Sequence, residues 1–206
     1  MKKHLVVLAL CLALVTGLMA GCGAAAPKVS SKDTVSTALD AYKAGDLAKF
    51  ASYWSDTSNQ DLEKLKNPGQ LFADEGINEQ TAESLLKGIS AASEYKIISG
   101  TEDAKTKKAS VVVEVTGVDL NKLSSDEALQ AEMTQQLMTN PNITKMTEQE
   151  QTDAMFDLLI KSLSTTTSKT TKQVTVELVM VSDKGGSPVW KISNDTLLSP
   201  LFGNMQ

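Results

Sequence analysis

From Asp33 onward the apolar residues recur at helical spacing. Val35, Ala38, Leu39 and Tyr42 fall at i, i+3, i+4 and i+7, behind Ser30 or Ser31 as a cap. Ala44-Gly45-Asp46 interrupts that stripe, with Gly45 placed to end one helix and Asp46 to cap the next. The next stripe is Leu47, Phe50, Ala51 and Trp54; Asn67-Pro68-Gly69 reads as a turn. A third helix, capped at Asn78, carries Ala82, Leu85, Leu86 and Ile89. The period then drops to two. Tyr95 to Ser99 and Ala109 to Val118 are β-rich runs around a polar connection, with Val111, Val113 and Val115 on one face and Glu114 and Thr116 on the other. A second hairpin runs from Gln173 to Ser193. Val174, Val176, Leu178 and Met180 share a face, Asp183-Lys184-Gly185-Gly186-Ser187 turns the chain, and Trp190 and Ile192 return. Leu197, Leu198, Leu201 and Phe202 form an apolar tail expected to pack back on the domain.

Between the hairpins the helical period returns, from about Leu120 to Thr165. Ser125 is placed to cap a helix with Leu129, Met133 and Leu137, which Asn140-Pro141-Asn142 ends. Thr147 and Glu150 fit a capping box for a second helix bearing Met155, Leu158, Leu159 and Leu163. Thr165 to Lys172 is low in complexity but high in β-propensity, and reads as an exposed strand entry. The order predicts an α+β domain over residues 33–206. Its N-terminal helices pack on a curved antiparallel sheet of two hairpins, with a two-helix insertion between the hairpins.

The first 26 residues follow a different logic. Lys2 and Lys3 precede an unbroken apolar run, Leu5 to Val15, and small residues follow. A run this short suits a signal-peptide core and falls short of roughly 30 Å of hydrocarbon. Leu18-Met19-Ala20-Gly21-Cys22 resembles the bacterial lipobox, with Met19 where leucine is commonest. The resemblance implies that residues 1–21 are a lipoprotein signal peptide and that Cys22 is diacylated on sulfur. The implied place is the outer face of the plasma membrane, as in Gram-positive bacteria. An ordinary secretory signal and a retained membrane helix are the competing readings. Each buried CH₂ contributes about 0.8 kcal/mol and one chain binds only marginally, so two or three chains are needed for a durable anchor. Residues 22–32 read as a linker, whose eleven steps from Cys22 to Asp33 reach at most about 36–40 Å.

Cleavage changes what the composition means. The 206 residues include 20 lysines and no arginine; the only histidine is His4 and the cysteines are Cys11 and Cys22. A chain starting at Cys22 has no histidine, no arginine and one cysteine, and that one is assigned to lipid. Imidazole-ligated metals, Ser-His-Asp and Cys-His catalysis, intrachain disulfides and arginine clamps on phosphate are then excluded. Lys2 and Lys3 leave with the signal, so 18 lysines face 25 acids, a net charge of −7. Such a chain is a poor nucleic-acid binder and does not adhere to an anionic membrane through its overall charge. The lipid does the anchoring.

The helix–Ala44-Gly45-Asp46–helix stretch from Val35 to Trp54, with the two hairpins, resembles the nuclear-transport-factor-2-like (cystatin-like) superfamily. It is especially similar to small Gram-positive lipoproteins that carry such a domain without an assigned activity. The likeness runs from about Asp33 to Asn194, interrupted by the insertion, and implies a cone-shaped pocket between helices and sheet. Enzymes of that superfamily use a pocket Asp-His pair, or Tyr with a protonated Asp. No acid here matches those motifs, so the resemblance carries over no catalytic residue.

Tyr42, Trp54, Tyr95 and Trp190, with Tyr53, are the candidate binding residues, because aromatics with a polar tip line ligand sites. Core packing is the alternative use of the same side chains. Glu114 and Glu177 lie mid-strand opposite the apolar parity, on the solvated face unless the sheet curls around a pocket. Asp153 and Asp157, Glu148 and Glu150, Asp74-Glu75 and Asp126-Glu127 are acid pairs; on a helix start they suit the macrodipole. Lys105, Lys107 and Lys108 cluster at a hairpin tip, and Met133, Met138, Met146 and Met155 enrich the insertion, as adaptable binding surfaces are enriched. No metal ligands and no cofactor beyond the lipid on Cys22 are expected. These features favour a lipid-anchored, non-enzymatic binding or scaffold module of the cell envelope, with an envelope protein as partner and no nucleic acid. The alternative is a small-molecule-binding or hydrolytic pocket within the cone, using Asp or Glu with Tyr.

Overall fold

The computed structural model describes residues 26–56, 60–67, 77–142 and 145–202. The signal segment, Cys22, Pro68-Gly69 and Asp74-Glu75 lie outside the described residues. The fold is α+β. Helix α1 (Ser31–Lys43) starts where Ser30 Oγ accepts the Asp33 amide, and Gly45, at φ 73°, turns the chain after it. Asp46 caps α2 (Leu47–Ala51), α3 spans Gln60–Lys66, and Asn78 caps α4 (Glu79–Ala92).

Strands β1 (Glu94–Asp103), β2 (Lys108–Val118), β3 (Lys169–Ser182) and β4 (Pro188–Ile192) form one antiparallel sheet in the order β1-β2-β3-β4. A bulge between Ile97 and Ser99 leaves Ile98 exposed on β1. The first connection is shorter than the sequence reading, because β1 continues to Asp103, whose carboxylate accepts the amides of Lys105 and Thr106 and tightens the turn.

The insertion leaves β2 through α5 (Leu120–Ser124), a helix the periodicity did not predict, capped by Asp119. Asp126, not Ser125, caps α6 (Glu127–Thr139). The Ser125 hydroxyl instead donates to the carbonyls of Asn121 and Lys122 and closes α5. Thr147 and Glu150 make the expected capping box for α7 (Glu148–Leu163). The tail forms α8 (Leu198–Phe202), with Leu201 and Phe202 buried.

Two hydrophobic clusters hold these elements. The larger joins Val35, Leu39 and Tyr42 of α1, Phe50 of α2 and Trp54 to Val111, Val113, Val115, Val176 and Ile192 of the sheet, all of them buried. The smaller joins Leu85 and Ile89 of α4, Val118, Leu123 and Leu163, and seats the insertion. Each fully buried large apolar side chain contributes about 1.5–3 kcal/mol relative to exposure. The tail reaches the sheet at Gly117, where an ideal Cβ would lie 2.1 Å from the Pro200 carbonyl oxygen. Backbone cannot yield as a flexible side chain can, so Gly117 is required for α8 to close over the core. Gly117→Ala is expected to destabilise the domain by about 1–3 kcal/mol, the usual cost of overpacking. A lowered urea midpoint with unchanged slope would bear this out; an unchanged midpoint would show that α8 moves aside freely.

Candidate functional site

The space between α1, α2 and the sheet, where a cone-shaped pocket is expected, is occupied by side chains. Tyr42 and Phe50 are fully buried and Trp54 is 4% exposed. Their rings interlock with Phe202: centroids lie 5.3 Å apart for Tyr42–Phe50, 5.1 Å for Tyr42–Phe202 and 4.8 Å for Phe50–Trp54. The polar tips are spent on the tail. Tyr42 Oη donates to the Leu201 carbonyl at 2.6 Å, and Trp54 Nε1 to the Asn194 carbonyl at 2.8 Å. Desolvation by burial pushes the Tyr42 phenol far above its ordinary range, opposed only weakly by a hydrogen bond with Ser93. Of the aromatics singled out, the structure places Tyr42, Trp54 and Trp190 in one core cluster.

Tyr95 stands apart, half-buried at the start of β1 against α1. Its hydroxyl donates to Asp40 Oδ1 at 2.6 Å and lies 3.1 Å from Ser36 Oγ. Desolvation first, and then the Asp40 carboxylate, raise its pKa. The effect is to tie the edge strand to the first helix.

Trp190 and Tyr53, which packs against that core, also border a second space. They line an open cleft of about 690 Å³ between the β3–β4 turn and the segment leading into α1, with Val29, Val181, Pro188 and Val189. Lys191 closes its rim: Nζ donates to the Ser52 carbonyl at 2.6 Å and lies 5.9 Å from the Tyr53 ring centroid. Trp190 is 3% exposed, and its indole N–H has no acceptor among the described residues. The valines of this cleft were missed by sequence reasoning. The available signal was Val179 and Val181, which put apolar residues on the polar parity of a strand otherwise read as one-sided.

The remaining candidates are mostly structural or solvated. Glu114, half-buried between Lys96 and Gln173, and exposed Glu177 lie away from the core, and Glu177 borders an open groove with Glu102, Lys108 and Ser193. Asp153 Oδ1 accepts from Asn78 Nδ2 at 2.7 Å, which pins the insertion to the start of α4, and Asp157 is exposed. Asp126 and Glu150 serve as cap and capping box. Lys105, Lys107 and Lys108 are exposed, with Lys107 at φ 57° in the turn. No group of three or more metal-ligating side chains occurs among the described residues.

No protein-family model matches this chain. No curated protein matches it either. A crystal structure of a candidate lipoprotein (ycdA) from Bacillus subtilis is similar at 15% identity and a TM-score of 0.42, over 81% of this chain and 56% of that one. The chain therefore matches a little over half of that protein's length.

The titrating groups set a stability window. Asp103 is held below its ordinary value by the Thr106 and Lys105 turn, Asp119 by the Thr170 hydroxyl and the Lys122 amide, and Glu150 by Thr147. Their contributions are present above the ordinary carboxylate values of 3.8 and 4.5 and are lost as pH falls through the lower folded ones. Tyr42 and Tyr95 have the opposite sign: their contribution is complete below the ordinary phenol value of 10.0 and lost as pH rises above it. Urea midpoints across pH are expected to form a plateau that falls at both ends. A midpoint that rises on acidification below 3.8, or on alkalinisation above 10.0, would contradict these assignments.

Proposed function

We propose that this chain is an extracytoplasmic lipoprotein, held to the membrane by diacylglycerol on Cys22, whose domain binds an envelope protein through its helical insertion and catalyses nothing. The observation that carries the binding reading is α6. It contains no buried residue, and its apolar stripe, Leu129, Met133 and Leu137, is only half covered. Met138 beside it is 78% exposed, and Met155 on α7 is 42% exposed. A helix that buries so little of itself gains little from its own domain, and flexible thioethers adapt to a partner's surface.

The anchor reading is supported by Ala20-Gly21-Cys22 at the end of the apolar run. It is also compatible with the fact that no helix among the described residues is long and apolar enough to cross a membrane. The second reading, a small-molecule or hydrolytic pocket using Asp or Glu with Tyr, needs room in the cone, and Tyr42, Phe50, Trp54 and Phe202 occupy it.

The test is site-specific photo-crosslinking in the envelope of the producing cell, with the crosslinker at Met138 or Met155 and a control at Lys96 on the outer sheet face. One defined protein adduct from the insertion positions, absent from Lys96, is the expected result. The same adducts from all three positions, or none, would count against an insertion-mediated partner. Because Met138 and Met155 are exposed, replacing both with alanine is expected to change stability by no more than about 0.5 kcal/mol while weakening the adduct made from a crosslinker at Leu137.

A further inference from the structure

The net charge of −7 hides a strong asymmetry along the molecule. The β2–β3 register sets two ends. At one, Lys108 pairs with Val179 and Ser182 with Pro188, while the Met180 amide donates to the Lys107 carbonyl at 2.9 Å, so the β1–β2 and β3–β4 turns are neighbours. The chain enters the domain there too, because the Ser31 amide donates to Glu102 and residues 27–29 run along the cleft. At the other end Val118 pairs with Lys169, and the insertion departs. The 14 residues of β3 separate the two ends by about 43 Å at 3.3 Å per residue.

Charge divides along this axis. Lys28, Lys105, Lys107 and Lys184 are exposed at the entry end and take part in no ion pair among the described residues. Three acids neighbour them and keep their charge: Glu102 accepts the Ser31 amide, Asp183 Oδ1 accepts the amides of Gly185 and Ser187 at 2.8 Å, and Asp103 Oδ1 accepts that of Lys105 at 2.9 Å, so with Lys108 this end sets five lysines against three carboxylates. The insertion, residues 120–165, has seven carboxylates against three lysines.

We propose that the lysine-bearing end docks on the anionic phospholipid headgroups of the membrane to which Cys22 is attached, with the insertion directed away. The proposal rests on the lipid attachment of Cys22. Five steps lead from Cys22 to Pro27, a reach of at most about 18 Å, so this end is the one held against the bilayer. A lysine near an anionic surface contributes about fivefold in binding, within a Debye length of about 8 Å at physiological salt. The tether supplies the proximity that makes such short-range contacts effective despite the net charge. Between the lysines the cleft presents Val29, Val189 and the ring of Tyr53, an apolar seat with a polar rim suited to the headgroup boundary.

The test uses the lipidated chain reconstituted in vesicles of phosphatidylglycerol and phosphatidylcholine, with a fluorophore on Ser187→Cys or on Met155→Cys and a quencher on the lipid headgroup. Cys22, acylated on sulfur, does not take the label. The expected result is flotation with the vesicles and several-fold stronger quenching at position 187 than at 155. The tether alone favours position 187, so docking is read from a further gain that should be lost in high salt, in pure phosphatidylcholine, and in a variant with Lys28, Lys105, Lys107 and Lys184 changed to Gln. Flotation with equal quenching at the two positions, or with a difference unchanged by salt, lipid charge and the four substitutions, would overturn the docking proposal and leave the anchor standing. Absence of flotation would overturn both.

Discussion

The eleven paired positions between β2 and β3 are the constraint on which the rest of the molecule depends. They fix which valines face α1 and α2, and so where the core forms. They also fix that the insertion departs from one end of the sheet and the two hairpin turns lie at the other. A slip of one residue would send Val111, Val113 and Val115 to the outer face and Glu114 into the core. The same ladder therefore determines packing, the separation between chain entry and insertion, and the direction of the charge asymmetry.

The core shows how a chain with only nine aromatic residues fills a space that could have held a ligand. Tyr42, Phe50, Trp54 and Phe202 are placed edge to face, and the hydroxyl of Tyr42 is satisfied by the backbone of the tail that seals the core. The close approach of Gly117 to Pro200 lets that tail lie against β2. The open surface is instead the cleft beside the chain entry and the barely buried helix α6.

Much of this was legible in the residues. The helix stripes, the Gly45 break, the capping box at Thr147 and both hairpins follow from spacing alone, because local hydrogen bonding and period determine them. Helix α5 and the cap at Asp126 were not legible: three adjacent candidates, Ser124, Ser125 and Asp126, compete for one role, and tertiary contacts decide. Of the four aromatics chosen as binding residues, Tyr42, Trp54 and Trp190 are core and Tyr95 ties β1 to α1. Trp190, with its neighbour Tyr53, also borders a cleft. Residue type marks an aromatic as suited to either use, and which it serves depends on contacts distant in sequence. The polarity of the molecule was equally hidden, since Lys28, Lys105 and Lys184 meet at one end only through the register.

The proposed tether is the central claim, because the proposed docking of the end that carries Lys28, Lys105, Lys107 and Lys184 rests on it. The most direct measurement is the mass of the N-terminal peptide from the protein extracted from its own membrane. A chain beginning at Cys22 and carrying a diacylglyceryl group on sulfur is the expected result. An unmodified Cys22, or a chain that retains residues 1–21, would contradict it.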